Sequence, residues 1–175
     1  MSVDGVNIGL LLLRLVVGLL WCGHGAQKLL GWFGAKQRGT LEEEFSHFGY
    51  HPPLLFGRLA GTTELTGGLL LASGLLTPIG AGLLACVAVQ ATAAVKWQNG
   101  CWIQDDGYEY LAVLAAVGVA FAFVGAGELS LDHALGTGFA GVTAGIVVAV
   151  VAALTPLLPR RIGAAAATAS EHGEA

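Results

Sequence analysis

Runs of about twenty nearly uninterrupted apolar residues constrain this chain more than any other feature, because a helix of that length crosses the hydrocarbon core of a bilayer. Ile8–Leu30 is such a run, broken by Arg14 and His24. Leu54–Leu76 is the second, and Pro52 and Pro53 before it suit a helix start. Thr77-Pro78 then makes a very short turn into a third run, Ile79–Trp97, so these two helices form an antiparallel hairpin. Tyr108–Val124 is the fourth run. A polar turn over Gly125–Leu135 separates it from a fifth, Gly138–Leu158, which stops at Pro159-Arg160-Arg161. Only 11% of the 175 residues are charged, against roughly 25% in a soluble domain. That is too little charge to coat a soluble fold, and mean hydropathy is +0.72.

The expected fold is therefore all-α, a transmembrane helix bundle with a four-helix core and a fifth transmembrane helix. The four-helix domain spans 1–135, the extra helix 136–162, and 163–175 forms a small, polar, disordered cytoplasmic tail. No positive start precedes the first run, so it is read as a retained span rather than a signal peptide. No basic patch suggests nucleic acid as a partner. Membrane lipids are the partner the composition implies.

The long first connection, Gly31–Pro53, contains Thr40-Leu41-Glu42-Glu43, a capping box. Leu41, Phe45 and Phe48 then share one helical face, which predicts a short helix at the interface, with Glu42–Glu44 as its solvated face. With five spans, Lys28, Lys36, Arg38, Arg58, Lys96, Arg160 and Arg161 all fall on one side. The positive side stays cytoplasmic. The expected placement is multi-pass in the cell membrane, N-terminus outside and C-terminus cytoplasmic. Among the 27 glycines, the pairs Gly57/Gly61 and Gly141/Gly145 have the spacing of helix contact faces.

Ionisable groups inside a membrane face the bundle interior and mark sites. Residue counting places His24, Lys28, Glu64, Asn99 and Glu109 in the cytoplasmic half, as ligand-binding or proton-handling candidates. Lys28 follows His24 at i+4 on the same helical face. A carboxylate such as Glu64 needs a partner or a proton there, and His24 titrates near neutral pH. Arg14, nearer the outer half, is read as structural, pairing with Asp132, snorkelling outward or reaching Glu64. Gln90 is read as interhelical glue. Cys22 and His24 point apart on a helix and cannot share a metal, so no metal site is expected. Cys22 and Cys86 sit in apolar runs as small hydrophobes, and Cys101 is the cysteine expected to meet water.

The order of the motifs resembles the DoxX family of small integral membrane proteins. Leu13-Arg14-Leu15 with Gly18, then His24-Gly25 and Gln27-Lys28, resemble its first helix. Leu59-Ala60-Gly61 with Glu64 and Gly67-Gly68, then Gly74-Leu75-Leu76-Thr77, resemble its second. Asn99-Gly100, Gly107-Tyr108-Glu109-Tyr110 and Leu129-Ser130-Leu131-Asp132 resemble the later motifs. Two departures stand out: the fifth run, and Asp106 where the family often has glycine. The resemblance implies a four-helix bacterial inner-membrane protein tied to redox physiology. One relative is a subunit of a thiosulfate:quinone oxidoreductase, and another is described as a membrane anchor for soluble enzymes. The implied function is a membrane component of a redox system that binds quinone or anchors a soluble redox enzyme. The alternatives are a non-catalytic scaffold or assembly subunit of a larger membrane complex, and a small-solute or lipid transporter. Autonomous catalysis is not expected, since metal and flavin motifs are missing; a quinone is the cofactor implied.

Overall fold

The computed structural model describes residues 4–33 and 40–158. Lys36, Arg38, Arg160, Arg161 and the C-terminal tail lie outside them. Five long helices and two short ones are present among the described residues, without strands: α1 (Gly5–Leu30), α2 (Leu41–His47), α3 (Pro53–Ser73), α4 (Thr77–Ala91), α5 (Glu109–Val124), α6 (Leu131–Leu135) and α7 (Val142–Leu154). α4 continues through a π-helical turn, Thr92–Lys96, and a 3-10 turn, Trp97–Asn99. The chain is all-α.

The bundle is sorted for lipid rather than for water. Val6, Leu12, Val16 and Leu19 on α1 and Val147 and Val151 on α7 are exposed, whereas Arg14, Glu64, Thr77 and Asp132 are buried. In water that distribution would strand apolar surface and bury charge together; in lipid both placements are favourable. α1 and the run Thr77–Asn99 are long and apolar enough to cross a bilayer, while Glu109–Val124 and Val142–Leu157 are shorter apolar helices.

Packing of α1 on α3 is backbone against backbone. A Cβ on Gly18 would lie 2.7 Å from the Ala72 nitrogen and the Gly68 oxygen, and one on Gly25 would lie 2.6 Å from the Leu65 nitrogen. Gly18 and Gly25 are seven residues apart, as are Gly61 and Gly68 opposite them, so one heptad of small residues on each helix forms the seam. Lipid supplies no hydrophobic drive between helices, and close approach of this kind replaces it. Gly57 and Gly61 divide their work. Gly57 receives Leu41 of α2, and Gly61 meets Leu29 and Lys28 of α1. Gly145 packs on Phe123 of α5, while Gly141 meets open space. The second expected pair is thus one contact residue and one capping residue.

α3 and α4 form the expected hairpin. Gly74 at φ 65° closes α3, and Leu76 at φ 46° leads directly into α4. α5 runs back along α4, with Gly118 against Ala81 and Ala85. α7 runs parallel to α4, since Val148 meets Gly82 and Thr155 reaches Cys86.

Three expectations need correction. The fifth run is helical only over Val142–Leu154, extended by a 3-10 turn over Thr155–Leu157, because Gly141 is not helical and Pro156 interrupts the ladder. The turn Gly125–Leu135 contains a helix, α6, N-capped by Ser130. Glu44 is half-buried rather than solvated, and lies close enough to Glu64 to interact with it electrostatically. The capping box at Thr40 and Glu43 is formed, and the Thr40 backbone N–H holds the Glu43 carboxyl below its usual range.

Candidate functional site

Two polar clusters occupy opposite ends of the bundle. The first joins α1 to α3. Lys28 Nζ donates to both carboxylate oxygens of Glu64, at 2.8 and 2.7 Å. The Glu64 side chain is 4% exposed and that of Lys28 22%, so the ion pair is buried on the carboxylate side and open on the ammonium side. The glycine seam creates the pair: Gly61, one turn before Glu64, lets the Lys28 stem pass close over α3. An ion pair with its polar atoms satisfied costs far less to bury than either charge alone.

His24 sits one turn earlier on α1 and faces Gln27, Nδ1 to Oε1 at 3.4 Å, with the Trp21 ring edge-on at 6.0 Å. Gln27 in turn donates to the Phe33 carbonyl at 3.1 Å, just past the Gly31 cap. Cys22 packs against α3, its Sγ 3.8 Å from the Leu65 carbonyl. Beside this end, the Gln90 amide donates to the Tyr50 hydroxyl at 2.8 Å. Tyr50 is buried and packs on Phe45 of α2 and Phe56 of α3. Gln90 therefore tethers α4 to the segment between α2 and α3, as glue.

Asn99 and Glu109 do not join the ion pair. Asn99 is exposed and donates to the backbone and carboxylate oxygens of Asp106. Glu109 opens α5 half-exposed, its N–H bonded to the Cys101 carbonyl at 2.8 Å. Asn99 belongs to a compact loop over Trp97–Tyr108, closed by the stacked Trp97 and Tyr108 rings and by the Lys96–Asp106 ion pair, and Glu109 follows it directly. Asp106 stands at φ 60°. That left-handed backbone is the reason glycine suits the position, and aspartate is among the few other residues that tolerate it. Here its carboxylate gains Lys96 and Asn99 as partners.

The second cluster is a clasp at the opposite end. Arg14 is 1% exposed and donates to the Ala72 carbonyl at 3.0 Å and to the Leu129 carbonyl. It makes no direct ion pair with Asp132 or Glu64 among the described residues, although the Asp132 charge acts on it from a distance, and its burial is against the snorkelling alternative. Asp132 is taken up elsewhere: its oxygens accept from the N–H groups of Leu76 and Thr77, at 2.7 and 2.9 Å, and from the hydroxyls of Thr77 and Thr137, at 2.7 and 2.9 Å. Burial pushes the Asp132 carboxyl up, but these bonds together outweigh it and hold the group below the usual carboxylate range. The Asn7 amide oxygen accepts from the Glu128 N–H at 2.8 Å. The connection from α5 to α7 is thereby strapped across α1, α3 and α4. Asp132 caps the hairpin turn, whose N–H groups would otherwise be unpaired.

Three buried polar atoms have no hydrogen-bond partner among the described residues: Arg14 Nε, Trp21 Nε1 and Gln90 Oε1. Such an orphan ordinarily costs about 1–3 kcal/mol. No group of three or more His, Cys, Asp or Glu side chains able to hold a metal occurs among the described residues. Sequence reasoning did not single out Trp21, Tyr50, Thr77 or Asn7. The partners of Tyr50, Thr77 and Asn7 are backbone groups or residues distant in the chain, and only the bulk of Trp21 in an otherwise aliphatic run was a signal.

The DoxX family model matches residues 9–97, which carry α1 to α4 and hence both Lys28 and Glu64. The chain is 30% identical over 126 residues to "Putative oxidoreductase CatD" of Bacillus subtilis (strain 168), an alignment covering 72% of this chain and 86% of that one. No solved structure matches it. An inside-out helical bundle, a family match over half the chain and a relative aligned over most of its own length agree: this membrane protein belongs to the DoxX family.

Proposed function

We propose that the chain is a membrane component of a redox system, and that Lys28 and Glu64 form a proton-handling site for a quinone at the cytoplasmic end of the bundle. The observation that carries this reading is the ion pair itself, buried between α1 and α3 with its ammonium side open. Reduction of a quinone takes up two electrons and two protons. An ammonium and a carboxylate in contact supply a donor and an acceptor at adjacent positions, and apolar walls with a few polar groups suit a ring of this kind. The protons pass through Lys28 and Glu64. The electrons come from a soluble redox enzyme docked at the same end, for which the chain is the membrane anchor. The name of the Bacillus subtilis relative supports a redox role in the same direction.

The test uses purified full-length protein in lipid nanodiscs with ubiquinone-2 as probe. Wild type takes up the quinone and Glu64→Gln, equally well assembled, does not. Uptake unchanged in Glu64→Gln would overturn the assignment.

A second reading, a non-catalytic scaffold for a soluble enzyme or a larger membrane complex, draws support from the loop Trp97–Tyr108. That loop is braced internally yet exposes Trp97, Trp102 and Ile103. Under this reading, Trp102→Ser reduces the soluble proteins that co-purify in mild detergent while Glu64→Gln leaves them unchanged.

A further inference from the structure

Arg58 is the charged side chain on the exposed face of α3, and its guanidinium makes no hydrogen bond or ion pair among the described residues. α2 docks beside it, with Leu41 on Gly57, and carries Glu42, Glu43 and Glu44. None of those carboxylates pairs with Arg58. The face around it is built for hydrocarbon. Leu55, Leu59 and Leu69 are exposed on the same helix. Thr62 and Ser73, also exposed, turn their hydroxyls back onto carbonyls of their own helix. Thr62 donates to Arg58 and Leu59 at 2.9 and 3.0 Å, and Ser73 to Leu69 and Leu70 at 2.7 and 3.2 Å. That is how a hydroxyl facing lipid is satisfied.

Two helices agree on the depth of Arg58. It follows the start of α3 at Pro53 by about 7.5 Å of helix. On α1, Gly25 meets Leu65 and Leu29 meets Gly61, so the two helices are antiparallel and the chain beyond Leu30 emerges level with Gly57 and Arg58. The residues that emerge there include Trp32 and Phe33, 57% and 69% exposed. Exposed aromatic rings level with a long cationic side chain mark the boundary between hydrocarbon and headgroups. The Arg58 stem lies along the leucines while its guanidinium reaches outward.

The group at that depth able to satisfy a guanidinium is the lipid phosphate, which arginine holds through two parallel N–H donors. In a zwitterionic headgroup the phosphate charge is already offset by the lipid's own cation; in an anionic one it is not. We propose that Arg58 binds the headgroup phosphate of an anionic phospholipid, in the leaflet at the Lys28 end of the bundle. The contact is independent of the quinone reading, since Arg58 is exposed on α3 while Glu64 is buried against α1.

The experiment titrates full-length protein, delipidated in mild detergent, with phosphatidylglycerol or phosphatidylcholine and follows the melting temperature. Wild type is expected to respond to phosphatidylglycerol at about fivefold lower concentration, the worth of one basic residue at an anionic surface. Arg58→Gln removes that difference and leaves the lipid-free melting temperature unchanged, because the side chain has no protein partner to lose. Arg58→Lys keeps the charge and part of the preference. Equal responses of wild type to the two lipids overturn the inference. So does a preference that persists in Arg58→Gln, which another cation would then carry, or one lost as completely in Arg58→Lys as in Arg58→Gln. Inorganic phosphate alone should leave wild type unshifted; a shift matching that of phosphatidylglycerol would rule out the lipid as the ligand.

Discussion

Glu64 and Arg14 show how differently two buried charges can be accommodated, and how differently they read in sequence. Glu64 has a side-chain partner, and both members of its pair are ionisable groups in apolar surroundings, so the amino-acid sequence alone marks them as partners. The two terminal nitrogens of Arg14 donate to carbonyls of Ala72 and Leu129, and backbone acceptors leave no mark in a sequence. Substitutions at Glu64 separate fold from function. Glu64→Leu strands the Lys28 ammonium, a loss of about 3–5 kcal/mol, and thermal melting in detergent should fall sharply. Glu64→Gln still accepts a hydrogen bond and should melt closer to wild type. At the other end, Asp132 accepts four hydrogen bonds. Its folded value lies below the unfolded value of about 3.9, so its contribution is present above that pH and is lost as pH falls through the folded value. Asp132→Asn turns an amide toward donors and should cost about 1.5–3 kcal/mol, the worth of one hydrogen bond to a charged group. In melting curves taken against pH, the gap between wild type and Asp132→Asn should be constant near neutrality and close under acid. A gap that persists at low pH would contradict the clasp.

Helices report themselves in sequence through apolar length, and their contacts through small residues, but the second signal is much the weaker. The starts of α3 at Pro53 and of α5 at Glu109 lie within a residue of those expected, because proline and the polar loop residues punctuate them locally. The end of α4 at Ala91 has no such punctuation, since the apolar run continues through Val95 and no proline or glycine stands before Gly100. The start of α7 departs from expectation for the related reason that Gly138–Gly141 is apolar without being helical. Glycine spacing signals contact faces but not their partners: the α1–α3 seam rests on Gly18, Gly25, Gly61 and Gly68, a spacing of seven rather than four. A matched pair of variants tests the seam. Gly18→Ala places a methyl group 2.7 Å from backbone atoms of α3, where the helices must part, at about 1–3 kcal/mol for overpacking. Gly23 lies on the same helix with nothing within 4 Å of its Cβ position. Gly23→Ala should be neutral or stabilising, as alanine is the better helix former. Equal melting temperatures for the two variants would show that α1 and α3 are not held by close approach.

At the scale of the whole molecule the two ends are unlike, and that asymmetry sets its expected place in the membrane. The strapped end carries the Asn7, Arg14 and Asp132 contacts, and its one basic side chain among Lys and Arg of the described residues is turned inward. The opposite end carries Lys28, Arg58 and Lys96 among the described residues. Lys and Arg remain on the cytoplasmic side when short loops are sorted during insertion, so the Lys28–Glu64 pair is expected toward the cytoplasm. α1 starts at the strapped end, so the N-terminus is expected outside. α7 runs parallel to α4 and away from the strap, so the chain beyond it is expected inside. The weak point is length: Val142–Leu157 rises only about 24 Å as a helix, short of a hydrocarbon core of about 30 Å. Pairing with α4 and α5 allows a short span, because a shorter helix is accommodated by local thinning of the bilayer. Reporter fusions decide between the arrangements. An N-terminal reporter active only outside, with a C-terminal reporter active only in the cytoplasm, is the expected pattern for an odd number of crossings. Both termini reporting the same side would show that α7 packs on the bundle without crossing, and the fifth helix would then be a surface element of a four-span core.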